Sequence, residues 1–158
     1  MAIPHKTTTW ILVANASFAC LYETHLALLF RTNGHAEKNL TMIKSFNHEQ
    51  SRKRTSDLVS DRQGSYISGT AGHGSFSEQT DPKLIEADRF ARELAQVLED
   101  GRIEESYSNL IIVAKPHFQG LLQKHMNHRL GKYINRTIEK DYTRFKGKEL
   151  VAQLQAHL

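Results

Sequence analysis

The sequence predicts an α/β fold in which a mixed five-stranded sheet carries helices on its faces, in the order β-β-β-α-β-α-β-α. Three observations predict it. Residues 7–46 hold β-branched and apolar runs broken by short turns. After Asp81-Pro82, apolar residues recur at three- and four-residue spacing, the period of a helix with one buried face. Asn109-Leu110-Ile111-Ile112-Val113-Ala114 is then an unbroken apolar run, as a central strand covered on both sides requires.

Each element has its own reason. Thr7-Thr8-Thr9-Trp10-Ile11-Leu12-Val13-Ala14 is β-branched and apolar and reads as the first strand. Asn15-Ala16-Ser17 is a turn, and Phe18 to Tyr22 returns antiparallel to the first strand. His25 to Phe30 either extends that strand or forms an inserted piece. Asn33-Gly34 marks another turn, because both residues tolerate positive φ. Leu40, Met42, Ile43 and Phe46 supply a third strand, completing a meander. Residues 47–80 form a connection far longer than usual, charged at first and then rich in glycine, and are either functional or partly disordered.

Asp81 is a good N-cap, and Pro82 at the first helical position loses no needed N–H. Leu84, Ala87, Phe90, Ala91, Leu94 and Leu98 make the inward face of this helix. Glu86, Asp88, Arg89, Arg92 and Glu93 are expected outside, and Gly101 is expected to stop it. Beyond the Asn109 strand, a helix runs from Pro116 to about Met126 with Phe118, Leu121 and Leu122 inward. Tyr133 to Glu139 reads as the last strand. Lys146 to His157 reads as a closing helix on Leu150, Val151 and Leu154. Strand, helix and strand after residue 81 imply a right-handed crossover and so a parallel pair beside the meander. This is the order of ribonuclease H-like domains, and residues 1–158 make one domain of that kind.

The chain has 21 Lys+Arg, 17 Asp+Glu, nine His and a single Cys. One Cys excludes an internal disulfide framework and fits a reducing compartment. The first apolar stretch breaks at Asn15, too early for a signal peptide or a membrane span. A soluble, cytoplasmic domain is expected. Residues 111–158 carry nine bases against three acids, which is either a solvated Lys/Arg surface or one that meets phosphate or an acidic partner.

Catalytic chemistry is hard to assemble. A nuclease of this fold needs clustered carboxylates to hold two hard cations. The first strand has no acid, while Glu23, Asp57, Asp61 and Asp141 are scattered between elements. His117, His125 and His128 lie close in sequence, but no Cys or acid beside them completes a metal set. Cys20 sits in a strand as a small packed residue. Gly72-His73-Gly74 begins as G-x-G, yet it follows a polar loop and fails as a dinucleotide signal. Its backbone suits an anion nest, and Arg52, Lys53, Arg54 and Arg62 in the same connection reinforce that reading. The candidate RNA-binding set is therefore Arg52, Lys53, Arg54, Arg62, Gly72, His73 and Gly74. No catalytic residue, metal site or cofactor is assigned, and the balance points away from an enzyme.

Trp10-Ile11-Leu12-Val13-Ala14-Asn15, Asp57-Leu58-Val59-Ser60-Asp61-Arg62, Thr80-Asp81-Pro82-Lys83, Ile111-Ile112-Val113-Ala114-Lys115-Pro116 and Glu139-Lys140-Asp141-Tyr142-Thr143 follow one another along the chain. These blocks resemble the bacterial host attachment proteins, described as required for attachment to host cells. Glu86-Ala87-Asp88-Arg89-Phe90-Ala91-Arg92-Glu93-Leu94 belongs to the same series. That family in turn resembles the middle domain of archaeal and eukaryotic peptide-chain release factors. The resemblance implies a ribonuclease H-like sheet, and a Gly-Gly-Gln loop before the long helix in true release factors. Here Gly69-Thr70-Ala71-Gly72-His73-Gly74-Ser75-Phe76 stands in that place, so peptide release is not carried over. Asn15 also stands where family members often have Asp.

Two functions follow as expectations. One is a release-factor-like, translation-associated protein that docks on ribosome or tRNA without releasing peptide. The other is a non-enzymatic host-cell attachment protein acting through a protein partner. Oligomeric state is left open.

Overall fold

The computed structural model describes residues 7–30, 35–48 and 81–158. Its framework is β1 (Thr8–Ala14), which runs antiparallel to β2 (Phe18–His25) and parallel to β4 (Asn109–Val113). β3 (Thr41–Asn47) pairs antiparallel on the outside of β2, and β5 (Ile134–Ile138) pairs parallel on the outside of β4. The order across the sheet is β3-β2-β1-β4-β5. The mixed five-stranded α/β sheet expected from the sequence is therefore present.

Side chains of β1 alternate between two cores. Trp10, Leu12 and Ala14 face the side covered by α2 (Pro82–Ile103) and α3 (Pro116–His125), meeting Phe90, Leu94, Leu98, Phe118 and Leu122. The short α4 (His128–Gly131) adds Leu130 to that core. Ile11 and Val13 face the side closed by α5 (Gly147–His157), meeting Leu150, Val151 and Leu154. Residues 25–30, left open by the sequence, divide between the end of β2 and a single turn, α1 (Leu26–Leu29), whose Leu29 seals this second core. A 3-10 turn over Ala36–Asn39 leads into β3. Among the described residues no helix is long and apolar enough to cross a membrane.

Three local expectations are corrected. Gly101 does not stop α2, which runs on to Ile103. A Cβ at Gly101 would sit 2.5 Å from the Trp10 ring and 3.0 Å from that of Tyr107, so this glycine lets the helix lie against the indole. The stop is built downstream instead. Glu105 takes φ 57, Ser106 N–H donates to Gly101 C=O at 2.8 Å, and Glu105 N–H donates to Arg102 C=O at 3.1 Å. That paired bond set is a Schellman closure, with a glutamate where glycine is usual.

Glu86 is not outside but buried, because it falls on the same helical row as Phe90 and Leu94 and is covered by His48. Leu84, expected inward, is 41% exposed, as nothing described covers the first turn of α2 on that side. On β3, Met42 and Ile43 are also exposed, at 46% and 43%. The pairing skips from Leu21↔Lys44 to Tyr22↔Met42, and this bulge breaks the alternation that would have turned one of them inward.

Gly101→Ala separates helix propensity from packing. Propensity alone favours alanine by about 1 kcal/mol. The Trp10 contact opposes it, and overpacking of a filled core costs about 1–3 kcal/mol. A net loss of stability in urea titration is expected. A gain would show that the Trp10 contact does not constrain position 101.

Candidate functional site

In sheets with parallel strands, the place to look is the carboxyl edge where chain connections diverge. Here it lies between β1, whose chain turns back into β2, and β4, whose chain enters α3. Three segments meet there. Asn15 follows β1, Lys115 follows β4 as the residue before α3, and Asp141 and Thr143 follow β5.

Asn15 is fixed by its own turn. Its side-chain oxygen accepts from the N–H groups of Ser17 and Phe18, both at 2.8 Å, an Asx turn that closes the β1–β2 hairpin. With the oxygen so used, the amide nitrogen points across the sheet edge. It donates to Thr143 Oγ1 at 3.0 Å and to Asp141 Oδ2 at 3.4 Å. Asp141 Oδ1 accepts from the Thr143 N–H at 2.9 Å and from the Thr143 hydroxyl at 2.5 Å. Burial opposes ionisation of Asp141. The Thr143 donors, the Asn15 amide and the charge of Lys115 together outweigh it, so the carboxyl is held below its ordinary range.

One floor below, Gln119 of α3 is buried and missed by sequence reasoning, which placed Leu121 inward instead; Leu121 is half-buried. The Gln119 amide donates to Ala114 C=O at 2.9 Å and to Ile138 C=O at 3.1 Å, tying the ends of β4 and β5 together. Its signal in the sequence is faint, a glutamine beside Phe118 on the inward face.

Chemically, this arrangement is a latch. Both Asp141 oxygens accept from protein donors, so the carboxylate ties the 139–146 segment to the Asn15 turn. Glu23 lies opposite Trp10, at the other half of β1, roughly 15 Å along the strand at about 3.3 Å per residue. Glu23 and Asp141 therefore cannot share a cation. Among the described residues no three His, Cys, Asp or Glu side chains come together as a metal site. Burial pushes the Cys20 thiol up, as for a packed strand residue.

The histidines part company. His117 and His128 are exposed, whereas His125 Nε2 lies 2.9 Å from Asp88 Oδ1 and links α3 to α2. Arg52, Lys53, Arg54, Arg62, Gly72, His73 and Gly74 all lie outside the described residues, as do Asp57 and Asp61. The segment that holds them is bounded by an unexpected pair. His48, just after β3, stacks on Phe90 at 5.1 Å and places Nε2 2.9 Å from Glu86 Oε2. Arg89 approaches the other Glu86 oxygen at 3.3 Å.

Comparison with known proteins adds the family. A family model described as "Protein required for attachment to host cells" matches residues 10–154, from within β1 to within α5. The chain belongs to the host attachment family. No curated protein matches it. Among solved structures, one described as "Archaeal protein" aligns at 11% identity and TM-score 0.44 over 95% of this chain and 33% of that one. This host attachment family member thus spans about a third of that protein's length.

Two predictions follow from the latch. The Asp141 carboxyl lies below its unfolded value, near ~3.9 for aspartate. Its contribution to stability is therefore complete above that value and is lost as pH falls through the folded one. Between pH 7 and about pH 3, the native chain should lose more stability than Asp141→Ala; parallel acid-stability curves would remove the assigned role. Asn15→Asp loses both donations and sets carboxylate against carboxylate, raising the pair's titration. A cost of about 1 kcal/mol or more is expected at pH 7. Because the pair titrates high, that deficit should shrink on acidification to about pH 5.

Proposed function

We propose that this chain serves attachment to a host cell as a non-enzymatic module that works by binding a protein partner. The observation that carries the reading is the extent of the family match. It takes in every strand of the sheet and every helix around it, not one loop or motif. The latch supports the non-enzymatic part, because its one low-titrating carboxylate is spent on internal donors. A protein-binding module needs only a rigid scaffold and an exposed patch, and a sheet with two filled cores supplies the first.

A second reading is favoured by a separate observation. Lys115, Lys124, Arg129, Lys132, Arg136, Lys140, Lys146 and Lys148 are all exposed, and exposed bases in number are what nucleic acid phosphate meets. On that reading the chain is a release-factor-like protein docking on ribosome or tRNA, and altered attachment is a downstream consequence.

The two are separated by one pair of measurements. Cells lacking the chain are scored for attachment to host tissue, and lysates are sedimented for ribosome association at low and high salt. Loss of attachment with no salt-sensitive ribosome binding is expected. Ribosome cosedimentation abolished by Arg52→Ala/Lys53→Ala/Arg54→Ala would favour the translation reading, and undiminished attachment of deletion cells would remove the first.

A further inference from the structure

The surface between the first half of α2 and the middle of α3 holds a groove of about 430 Å³. Its floor is apolar. Leu84 and Ile85 are both substantially exposed there, and Leu121 reaches it from α3. Its rim is basic. Arg89, Arg92 and Lys124 line it with side chains more than half exposed.

The one acid in the groove is already engaged. Asp88 meets His125 at 2.9 Å, Lys124 at 3.4 Å and Arg92 at 3.9 Å, and these donors, His125 foremost, hold its carboxyl below the ordinary range. Arg92 and Lys124 share Asp88, and Arg89 approaches Glu86 at 3.3 Å, so three cations stand against two carboxylates and the groove keeps a positive excess. An apolar floor with an excess of one charge on its rim selects for the complementary pattern. A helix with apolar residues at i, i+3/i+4 and i+7 and acids on its flanks presents it. A second copy of the chain would bring the same basic rim against itself. A bare polyanion such as RNA would leave Leu84, Ile85 and Leu121 unfilled.

We propose that this α2–α3 groove docks an acidic amphipathic helix of a protein partner, its apolar face on Leu84, Ile85 and Leu121 and its carboxylates on Arg89, Arg92 and Lys124. The inference rests on the reading that the chain works through a protein partner, and it names the surface and the partner's chemistry.

The test uses the full chain and three labelled synthetic peptides in fluorescence anisotropy. One carries Leu at i, i+3, i+4 and i+7 with Glu elsewhere, one replaces Glu by Lys, and one replaces Leu by Ser. Only the first should bind, with affinity falling as salt rises. Arg92→Gln/Lys124→Gln and Leu84→Ser should each weaken it at least about tenfold, since buried anchors and paired charges dominate such interfaces. All three substituted positions are surface sites, and circular dichroism checks that each variant folds.

Several results overturn the proposal: no binding of the acidic peptide, equal binding of the Lys peptide, or binding unaffected by the variants. Displacement of the acidic peptide by single-stranded RNA, with the Ser peptide binding as well as the Leu one, would show a general polyanion surface instead. A dimer that Leu84→Ser dissolves in sedimentation would assign the groove to a second copy. Loss of folding stability in Leu84→Ser, with no peptide binding, would also overturn the proposal, since Leu84 would then serve the fold rather than a partner. Attachment by cells carrying the groove variants keeps the two readings apart. Normal attachment of those cells, with deletion cells failing, rejects the groove and leaves the proposed function standing.

Discussion

Everything in this protein is arranged around the burial of β1 on both faces. A strand flanked by β2 and β4 has all its backbone donors and acceptors committed to the sheet, and its side chains then have nowhere to go but two cores. Trp10 and Leu12 require a helix on one side, and Ile11 and Val13 require one on the other. The large indole makes the first demand severe. α2 can approach only where it offers no side chain, which is why a glycine interrupts an otherwise ordinary helical face at position 101. A choice made in the first strand thereby sets the composition of a helix some ninety residues later.

The same strand also fixes the carboxyl edge. When β1 ends, Asn15 must close a tight hairpin, and its side-chain oxygen is spent doing so. The remaining amide hydrogens are what bind the segment after β5. An asparagine, with one acceptor and two donors, serves both neighbours. An aspartate would serve the first and repel Asp141 at the second. This edge thus differs in kind from a carboxylate pair that needs a cation to hold it together: here the cohesion is internal.

Much of this was legible in the residues. β-Branched and apolar runs broken at Asn15-Ala16-Ser17 marked the hairpin, Asp81-Pro82 marked the start of α2, and the apolar run at 109–114 announced a central parallel strand. What was not legible depended on contacts far apart in sequence. Gly101 resembles a helix stop until the partner of its bare face is known. Glu86 resembles a surface acid until His48 is seen to cover it. Leu84 fits the inward row, but its row runs past the end of what α3 covers. The Asn15–Asp141 pairing joins residues separated by more than a hundred positions, and no spacing rule reaches that far. The basic and glycine-rich residues assigned to RNA binding lie in residues 49–80, outside the described residues, so their placement adds nothing for or against that role.

The join across that segment has a physical consequence of its own. His48 closes the chain before it and Glu86 anchors the chain after it, and the two meet side chain to side chain over Phe90. His48 also donates its N–H to Ser17 C=O at 2.7 Å, and Asp81 caps α2 through the Lys83 N–H at 2.9 Å. Both ends are therefore fixed by the fold before the intervening residues are specified. The entropy of closing such a connection grows only with the logarithm of its length, about 0.6 kcal/mol per doubling. The two sides of this join are thus held by contacts among the described residues, the first at His48 and the second at Asp81 and Glu86.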